Sequence, residues 1–564
     1  MKSAARPCTL PVRASAGPLV VLALALIAAL LGAVATSPTG AAEQPPRADP
    51  ALSDDRPNIV LVMADDMRAD DLRFAPSIRR LVARRGVRFE NSFSSYPLCC
   101  PARASLYTGV YPHNHGVMWH LRPFGYGSFD DSRTLATSLS EAGYRTGFVG
   151  KYLNGYGSMR AKTTGRPSWK HVPDGWTDWI GALDNPGGHR FHGDTYNYFD
   201  TAYNVDGRID NRYRGRYQTH VVGDFSVRLA KKYARSDRPF FLNVNYVAPH
   251  HGGPREDDDI RWIRRRDGRM EEYESPARPA GVRGRFDSAV SHGAGVPRSG
   301  RLERDVSDKP TYFSKLPDAN HRELTALREL TRQRAEAISV MDAQVRRLVK
   351  ALERSGAWER TVFVFTSDNG YFLGEHRKRT GKTRAHEPSL RVPLVASGPG
   401  IPRGERRYDP ITTVDLTATI VDLADADAPM EPDGASRLQT MLGGDRGWDS
   451  PVLTESAIPG RAAGWSKGRT SVGVRTSQYS LILNGPWSNE LYDLVADPLQ
   501  EHNVYADPAH AAARQQLRDV VTQIQDCSGD SCRPPLPSGL AAGPTLVADR
   551  TQHYWRSLAE AYGY

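Results

Sequence analysis

Cysteine is scarce in this sequence: five cysteines occur among 564 residues, which excludes a disulfide scaffold. No internal repeat and no extended low-complexity tract is present, so a repeat array is excluded as well. Hydrophobic residues make up 39% and charged residues 24% of the chain. This ordinary mixture excludes disordered, collagenous and polytopic membrane proteins. The length predicts two or three domains.

Acidic residues are fewer than basic ones. The chain has 64 aspartates and glutamates against 74 lysines and arginines, a formal net charge of +10. Such an excess favours an anionic partner without identifying it. No nucleic-acid partner is predicted.

The first residues have the pattern of an export signal. Lys2, Arg6 and Arg13 precede an apolar run at residues 19–35, and small residues follow it. No cysteine ends the run to receive a lipid, and no Arg-Arg pair precedes it. We therefore expect a secreted or extracytoplasmic protein.

Cleavage after Ala42 predicts a signal peptide at residues 1–42 and a linker at residues 43–55. The mature chain then has a net charge of +7, because three cations and no acids are removed. The lesser alternative is an uncleaved membrane anchor, since the apolar run has about 17 residues.

Beyond the linker the pattern is α/β. Short apolar runs predict buried parallel strands at residues 57–64, 240–246 and 361–366. Helical periodicity occurs between them, and strands alternating with helices predict a mostly parallel sheet with helices on both faces. The predicted helices are residues 75–85, 132–142, 217–235, 324–355 and 413–423.

The pattern changes near residue 449. A catalytic domain is predicted at residues 56–448, and a smaller C-terminal α+β domain at residues 449–564. Cys527 and Cys532 could close a small loop there in an exported protein, but the sequence does not decide whether they are bonded. The predicted C-terminal elements are strands at 452–456, 471–475 and 479–484, a segment at 489–494 and a helix at 508–526.

Residues 252–321 are charged and irregular. We expect a solvated surface insertion between core elements; the alternative is a lid that binds polyanions.

Polar residues follow the three predicted strands where each ends: Asp65-Asp66, His250-His251 and Asp368-Asn369. Ligands of parallel sheets bind at such strand ends. Asp65, Asp66, Asp368 and Asn369 offer only oxygen donors, which suit a hard cation: Ca²⁺ first, with Mg²⁺ as the alternative. Asp65-Asp66 alone would be a helix cap or an exposed turn, but two clusters at two strand ends favour a metal site.

The strongest motif is LCCPARASLYTG at residues 98–109. It resembles the signature of the type I sulfatase family, C-x-P-[S/A]-R followed by an apolar pair and T-G. In that family the first cysteine is converted to formylglycine, which here implies Cys99. Tyr107 replaces the usual Leu or Phe at an apolar packing position.

Six further segments resemble that family in the same order. They imply its alkaline-phosphatase-like fold, and metal ligands at Asp65, Asp66, Asp368, Asn369 and the modified Cys99. The segments are RPNIV before Asp65, GKYLN at 150–154, APH at 248–250, TSDNG at 366–370, GK at 381–382 before LRVP, and ELYDL at 490–494.

The resemblance also implies a mechanism. One hydroxyl of hydrated formylglycine attacks sulfur and expels the alcohol, and the other drives elimination of sulfate. Arg103, Lys151 and Lys382 would hold the sulfate oxygens. His250, aided by Lys382, would bind the substrate and protonate the departing alcohol, while Asp368 helps to activate the attacking hydroxyl.

One position departs from the family pattern. Many sulfatases have K-x-H where this sequence has Lys151-Tyr152-Leu153, so the usual base for sulfate elimination is missing. His115 or His251 could substitute, although a hydrogen-bonded turn is the simpler interpretation of His115. GKYLN, CCP and YPHNH resemble the N-acetylglucosamine-6-sulfatase branch.

The sequence thus predicts an exported sulfatase. Its predicted partners are a sulfated small molecule or glycan as substrate and a formylglycine-generating enzyme during maturation; a membrane is a partner only if the signal stays uncleaved. The alternatives are a phosphonate or phosphate ester hydrolase of the same superfamily, a non-catalytic glycan-binding relative, and an enzyme for small aryl or alkyl sulfates.

Overall fold

The computed structural model describes residues 55–186, 191–458, 466–485 and 487–563. The predicted signal peptide at 1–42 and nearly all of the linker at 43–55 lie outside these residues. Within the described ranges, no helix combines the length and the apolar character that a membrane span requires.

A ten-stranded sheet forms the centre of the fold, in the order β12-β2-β11-β10-β1-β7-β3-β4-β5-β6. Only β11 and β5 run against the direction of the other strands. The mostly parallel sheet predicted from the sequence is confirmed. The strands are β1 (Asn58–Ala64), β2 (Val87–Phe93), β3 (Arg145–Gly150), β4 (Asp178–Ala182), β5 (Tyr203–Val205), β6 (Arg208–Asp210), β7 (Phe240–Asn245), β10 (Thr361–Ser367), β11 (Leu394–Ser397) and β12 (Glu405–Thr412).

The central strands are apolar because both of their faces are covered. Every residue of β1, β7 and β10 is buried. Alternate residues of β1 point to opposite faces, with Val60 and Val62 in one apolar cluster and Ile59 and Leu61 in another. Such two-sided burial is typical of parallel sheets flanked by helices.

Helices cover both faces of the sheet. The longest of them, α7, begins with a capping box: the side chain of Asn320 accepts a hydrogen bond from the backbone of Glu323, which bonds back to Asn320. The helices are α1 (Pro76–Leu81), α2 (Cys99–Thr108), α3 (Pro112–His115), α4 (Leu135–Glu141), α5 (Gln218–Tyr233), α6 (Thr311–Ser314), α7 (His321–Arg354), α8 (Glu387–Leu390), α9 (Thr413–Leu423), α10 (Leu438–Gly443), α11 (Ala511–Ile524) and α12 (Pro544–Tyr562).

The C-terminal region contains a second, antiparallel sheet with a small apolar core. Cys527 and Cys532 form a disulfide immediately after α11. The last helix, α12, returns to the large sheet, where Thr551 accepts a hydrogen bond from Asn91 of β2. The boundary at residue 449 remains a prediction. The sheet consists of β13 (Val452–Ser456), β14 (Ser471–Arg475), β15 (Tyr479–Asn484) and β16 (Glu490–Asp493).

The insertion at residues 252–321 is more ordered than the sequence suggests. It contains a short hairpin, β8 (Ile263–Arg264) and β9 (Met270–Glu271). Arg278 is fully buried and pairs with Asp258, Asp259 and Glu336, the last from α7. Most residues of the expected surface insertion are exposed or half-exposed, and a buried guanidinium attaches the segment to the core.

Candidate active site

The carboxyl ends of the parallel strands bring the predicted site residues together. Asp65 and Asp66 follow β1, Asp368 and Asn369 follow β10, Lys151 follows β3, and Cys99 begins α2 after β2. His250 lies beyond the end of β7, and Lys382 lies in a loop whose Gly381 pairs with Phe372. Neighbouring parallel strands end at the same edge, which explains why residues so distant in sequence meet.

Asp66, Asp368 and Asn369 form a tightly bonded carboxylate and amide cluster. The backbone amides of Asp66 and Asn369 donate to Asp368 Oδ1 at 3.1 and 2.8 Å. Asn369 Nδ2 donates to Asp66 Oδ1 at 2.6 Å. All three side chains are buried, so the cluster is held rigidly.

Three buried oxygens of this cluster face inward without a hydrogen-bond partner in the described part of the chain: Asp65 Oδ1, Asp66 Oδ2 and Asn369 Oδ1. Buried polar atoms are nearly always paired, so three adjacent orphans call for a missing ligand. Ligand-type atoms of Asp65, Cys99 and Asp368 also lie within 4.8 Å of one another. The donor set fits a hard divalent cation.

Asp66 adopts a left-handed backbone conformation, with φ of 66°. This conformation costs a non-glycine residue roughly 1–2 kcal/mol. Arg334 Nη2 from α7 donates to the Asp66 carbonyl at 2.5 Å and holds it. Strain stored at this position orients a carboxylate toward the centre of the site.

Cys99 Sγ lies at the centre of the polar groups. It is 3.4 Å from Asn154 Oδ1 and 3.7 Å from Lys382 Nζ. Burial raises the pKa of the Cys99 thiol, and the nearby Lys151 and Lys382 offset this only in part. An unmodified Cys99 would therefore be a protonated thiol at neutral pH, which is a poor nucleophile.

Arg103, one turn further along α2, is fully buried. Its Nε donates to Asp368 Oδ2 at 2.7 Å, and its Nη1 donates to the Lys151 carbonyl at 2.9 Å. Its Nη2 has no partner among the described residues. The guanidinium thus connects α2, β3 and β10 and keeps one N–H group free to bind an anion.

Two lysines form ion pairs with the carboxylates that follow β1. Lys151 Nζ donates to Asp65, and Lys382 Nζ donates to Asp66. Gly150 allows this approach of Lys151: its φ is 103°, and a Cβ there would be 1.9 Å from the Asn245 carbonyl oxygen. Although burial opposes their charge, the carboxylates raise the pKa of both lysines, so both remain cations.

His250 faces the same cluster from the turn that follows β7. Its Nε2 is 3.7 Å from Asp66 Oδ2, and its Nδ1 donates to the His251 carbonyl at 2.7 Å. Burial, with the charges of Lys382 and Lys151, lowers the pKa of His250 well below its ordinary value. The ring of His251 is tilted by 36° against that of His250, at a centroid distance of 4.1 Å.

His115 belongs to a structural turn. Its Nε2 is 3.0 Å from Ser105 Oγ, and its Nδ1 accepts a hydrogen bond from the Val117 amide at 3.1 Å. With both nitrogens engaged, it is not available as the missing elimination base. His251 points outward instead, with Nε2 3.4 Å from Glu274.

The predicted set omits three residues of the site. Asn154 contacts Cys99, and Tyr196 accepts a hydrogen bond from Asn154 at 2.6 Å while its ring lies 4.9 Å from that of His250. His120 has a buried Nδ1 without a partner in the described ranges, and burial together with Lys382 and Lys151 lowers its pKa to about 4. Only Asn154 had a sequence signal, the GKYLN segment; Tyr196 and His120 lie in loops without a motif.

A buried carboxyl group, that of Asp184, supports the loop that contains Asn154, and its raised pKa makes the stability of the fold depend on pH. Asp184 Oδ2 accepts the Gly155 amide at 2.7 Å. Burial and then the charge of Asp194 raise the pKa of Asp184 to about 7. The neutral carboxyl group stabilises the fold at low pH, and this contribution is lost as the pH rises toward about 7.

We therefore expect Asp184→Asn, a permanently neutral isostere, to unfold less readily than the wild type at pH 8. The free energy of unfolding of the variant, minus that of the wild type, should increase by about 1.4 kcal/mol for each pH unit as the pH rises from roughly 5 to 7. Thermal melts across that range measure it, with the exposed Asp174→Asn as control. A difference that does not change with pH would contradict the interpretation.

Comparison with known proteins agrees with this geometry. The sulfatase family model matches residues 57–426, and the model described as N-sulphoglucosamine sulphohydrolase, C-terminal, matches residues 374–527. An arylsulfatase of Volvox carteri is 28% identical over 86% of this chain and 77% of its own length. The N-acetylglucosamine-6-sulfatase of Homo sapiens is 27% identical over 85% of this chain and 86% of its own length.

Solved structures share the fold. BT4656, solved in complex with its substrate D-glucosamine-2-N,6-O-disulfate, superposes with a TM-score of 0.60 and 21% identity, covering 83% of this chain and 97% of its own. The phosphonate monoester hydrolase of Agrobacterium radiobacter superposes with a TM-score of 0.57 and 22% identity, covering 86% of this chain and 99% of its own.

The family match at residues 57–426 includes all ten strands of the large sheet and every predicted site residue from Asp65 to Lys382. Sulfatases generally use a metal ion and a formylglycine, and the buried carboxylate cluster beside Cys99 is compatible with both. The chain therefore belongs to the sulfatase family and is a sulfuric ester hydrolase.

Proposed function

We propose that this protein is an exported, formylglycine-dependent sulfatase that acts on sulfated sugars. The observation that carries the proposal is the position of Cys99. Its sulfur lies between Asn154 and Lys382, beside a buried cluster of oxygens that lack partners within the described chain. A nucleophile at residue 99 would stand next to a cation and within reach of several anion-binding groups.

Cys99 is the residue to be modified. A buried thiol whose pKa is raised cannot supply a thiolate readily. Formylglycine, once hydrated, supplies two hydroxyl groups on one carbon, one for attack on sulfur and one for the release of sulfate. Cys100, buried in the apolar core behind the site, has no such role.

A divalent cation, Ca²⁺ first and Mg²⁺ as the alternative, would be held by Asp65, Asp66, Asp368, Asn369 and the modified residue 99. When bound, it would polarise a sulfate oxygen and lower the pKa of the attacking hydroxyl. The orphaned oxygens of Asp65, Asp66 and Asn369 support this assignment.

Charge balance favours an anionic substrate in the loaded site. Asp65, Asp66 and Asp368 are matched by Lys151, Lys382 and Arg103 in direct ion pairs. A divalent cation among these carboxylates would leave the site with an excess of two positive charges. Both lysines, held on the carboxylates in the free protein, could then turn toward the sulfate oxygens.

His250, with Lys382, is assigned to protonate the departing alcohol. The Nδ1–H group of His250 is fixed on the His251 carbonyl, so Nε2 faces the site. Burial, and then the charges of Lys382 and Lys151, lower its pKa, whereas a bound sulfate ester brings negative charge among the same groups and raises it. Bound substrate would therefore favour the protonated imidazole.

The N-terminal pattern supports export. A basic start, the apolar run at 19–35 and the small residues up to Ala42 are typical of a cleaved signal peptide. We assign residues 1–42 to the signal, 56–448 to the catalytic domain and 449–564 to the C-terminal domain. The sugar substrate is supported by the N-acetylglucosamine-6-sulfatase relatives.

A comparison of esters tests the reaction class. We expect purified enzyme to hydrolyse 4-nitrophenyl sulfate with a kcat/KM at least about tenfold above that for 4-nitrophenyl phosphate and phenylphosphonate esters, since the chain belongs to the sulfatase family. Release of 4-nitrophenol measures each rate under the same metal and pH. Dominant turnover of the phosphorus esters would replace the sulfatase proposal by the phosphonate or phosphate ester hydrolase.

A further inference from the structure

An open groove lies beside the site, on the side of Asn154. It has a volume of about 910 Å³ and is lined by Arg122, Phe124, Arg160 and Trp169, among others. Two segments distant in sequence form its walls: residues 122–127, and residues 158–169. None of these residues takes part in the chemistry described above.

The groove is continuous with the surroundings of Cys99. Phe124 packs against the apolar cluster that contains Cys99 and Met118. The Tyr126 amide donates to the Asn154 carbonyl at 2.8 Å, and the Asn154 side chain touches Cys99 Sγ. These contacts place the wall of the groove next to the residues that surround Cys99.

The walls carry only positive formal charge. Residues 117–129 and 156–173 contain no aspartate or glutamate, but they contain five cations: Arg122, Arg160, Lys162, Arg166 and Lys170. All five are exposed. Within the described residues none of them forms an ion pair, while Arg160 Nη1 donates to the Gly165 carbonyl at 2.7 Å. Asp130 and Asp131 border these segments, and Thr163 donates to Asp131 Oδ1 at 2.6 Å, but the charged residues that line the groove itself are Arg122 and Arg160. Exposed cations in an acid-free lining attract a polyanion.

Aromatic surface accompanies this charge. Trp169 and Phe124 are both half-buried, so part of each ring is available in the groove. Lys170 Nζ lies 4.6 Å from the Trp169 ring centroid. A flat apolar ring next to cations suits a sugar ring that carries anionic groups, since the C–H face can stack while the charges pair.

We propose that this groove is a glycan subsite: it binds the sulfated sugar units next to the one whose ester is cleaved. The inference rests on the proposed function, because it places the scissile sulfate at residue 99. It makes the preferred substrate an oligosaccharide or polysaccharide with several anionic groups. A small aryl sulfate would use the catalytic centre alone.

Variants of the groove separate the two kinds of substrate. Arg122→Gln/Arg160→Gln removes two exposed charges, and Trp169→Ala removes the ring. Arg79→Gln/Arg80→Gln is the matched control, since these exposed arginines lie in α1, away from the groove. Isothermal titration of each full-length enzyme with a heparin-derived hexasaccharide at 0.15 M salt measures binding, and 4-nitrophenyl sulfate measures the catalytic centre.

The arginine double variant should bind the hexasaccharide roughly tenfold more weakly than the wild type, with a smaller dependence on salt. Trp169→Ala should also weaken binding, and the α1 control should match the wild type. Turnover of 4-nitrophenyl sulfate should be the same in all four proteins. Equal hexasaccharide affinity in the groove variants, or no hexasaccharide binding by the wild type, would overturn the subsite. Absence of 4-nitrophenyl sulfate turnover in every protein would instead overturn the proposed function.

Discussion

Cys99→Ala is expected to lower kcat/KM for 4-nitrophenyl sulfate by roughly 10⁴-fold or more, because removing a covalent nucleophile leaves only binding and electrostatic effects. Its fold should persist. Cys99 is a small side chain in a minor apolar cluster, so the variant should lose only about 1 kcal/mol of stability. Steady-state kinetics and a thermal melt measure both effects.

The adjacent cysteine is a matched control. Cys100 is as deeply buried as Cys99, and burial also raises its pKa, but its side chain packs in the main apolar core. Cys100→Ala removes the same atoms one residue away and should keep activity within about threefold of the wild type. If Cys99→Ala retained wild-type turnover, or if both variants lost it equally, residue 99 would not be the nucleophile.

Chelation is expected to have the second large effect, the loss of nearly all turnover together with a lower melting temperature. Without a cation, Asp65, Asp66 and Asn369 each keep a buried oxygen without a partner in the described structure. A ligand present at 1,000 times its Kd stabilises the folded state by about 4 kcal/mol, so its removal should lower the melting temperature by several degrees.

The experiment is dialysis against a chelator, followed by Ca²⁺ or Mg²⁺ at equal concentration. Ca²⁺ should restore both activity and the melting temperature. Asn369→Ala, which lacks one of the oxygens, should need more Ca²⁺ for the same recovery. If elemental analysis showed that a fully active enzyme contains no metal, the proposed role of the cation in catalysis would be wrong.

The central strands were predictable because strands buried on both faces consist mostly of apolar residues, and such runs are visible in the sequence. β1 and β10 are nearly continuous apolar runs, β7 is an apolar run interrupted by Asn243, and polar residues follow each of the three strands. α9 has the bounds that its periodicity predicts. The candidate metal ligands could be predicted because they come directly after the strands. β2 was not predicted, since it contains Arg88, Glu90 and Asn91, whose burial depends on partners far along the chain.

Loops account for the rest of what sequence reasoning missed. His120 and Tyr196 enter the site because distant segments pack together, and no local pattern encodes that packing. The same holds for Arg278, whose charge is matched by residues of both the insertion and α7. The groove is formed by residues about forty positions apart, 122–127 and 158–169, so its charge and its aromatic rings become one surface only in the fold.

Mass spectrometry of the peptide that contains residue 99, taken from enzyme whose activity has been measured, shows whether the proposed nucleophile is formed. We expect a peptide about 18 Da lighter than the unmodified cysteine form, reactive toward aldehyde reagents, in a fraction that rises in proportion to specific activity. A fully active preparation in which residue 99 is entirely an unmodified thiol would rule out formylglycine as the nucleophile.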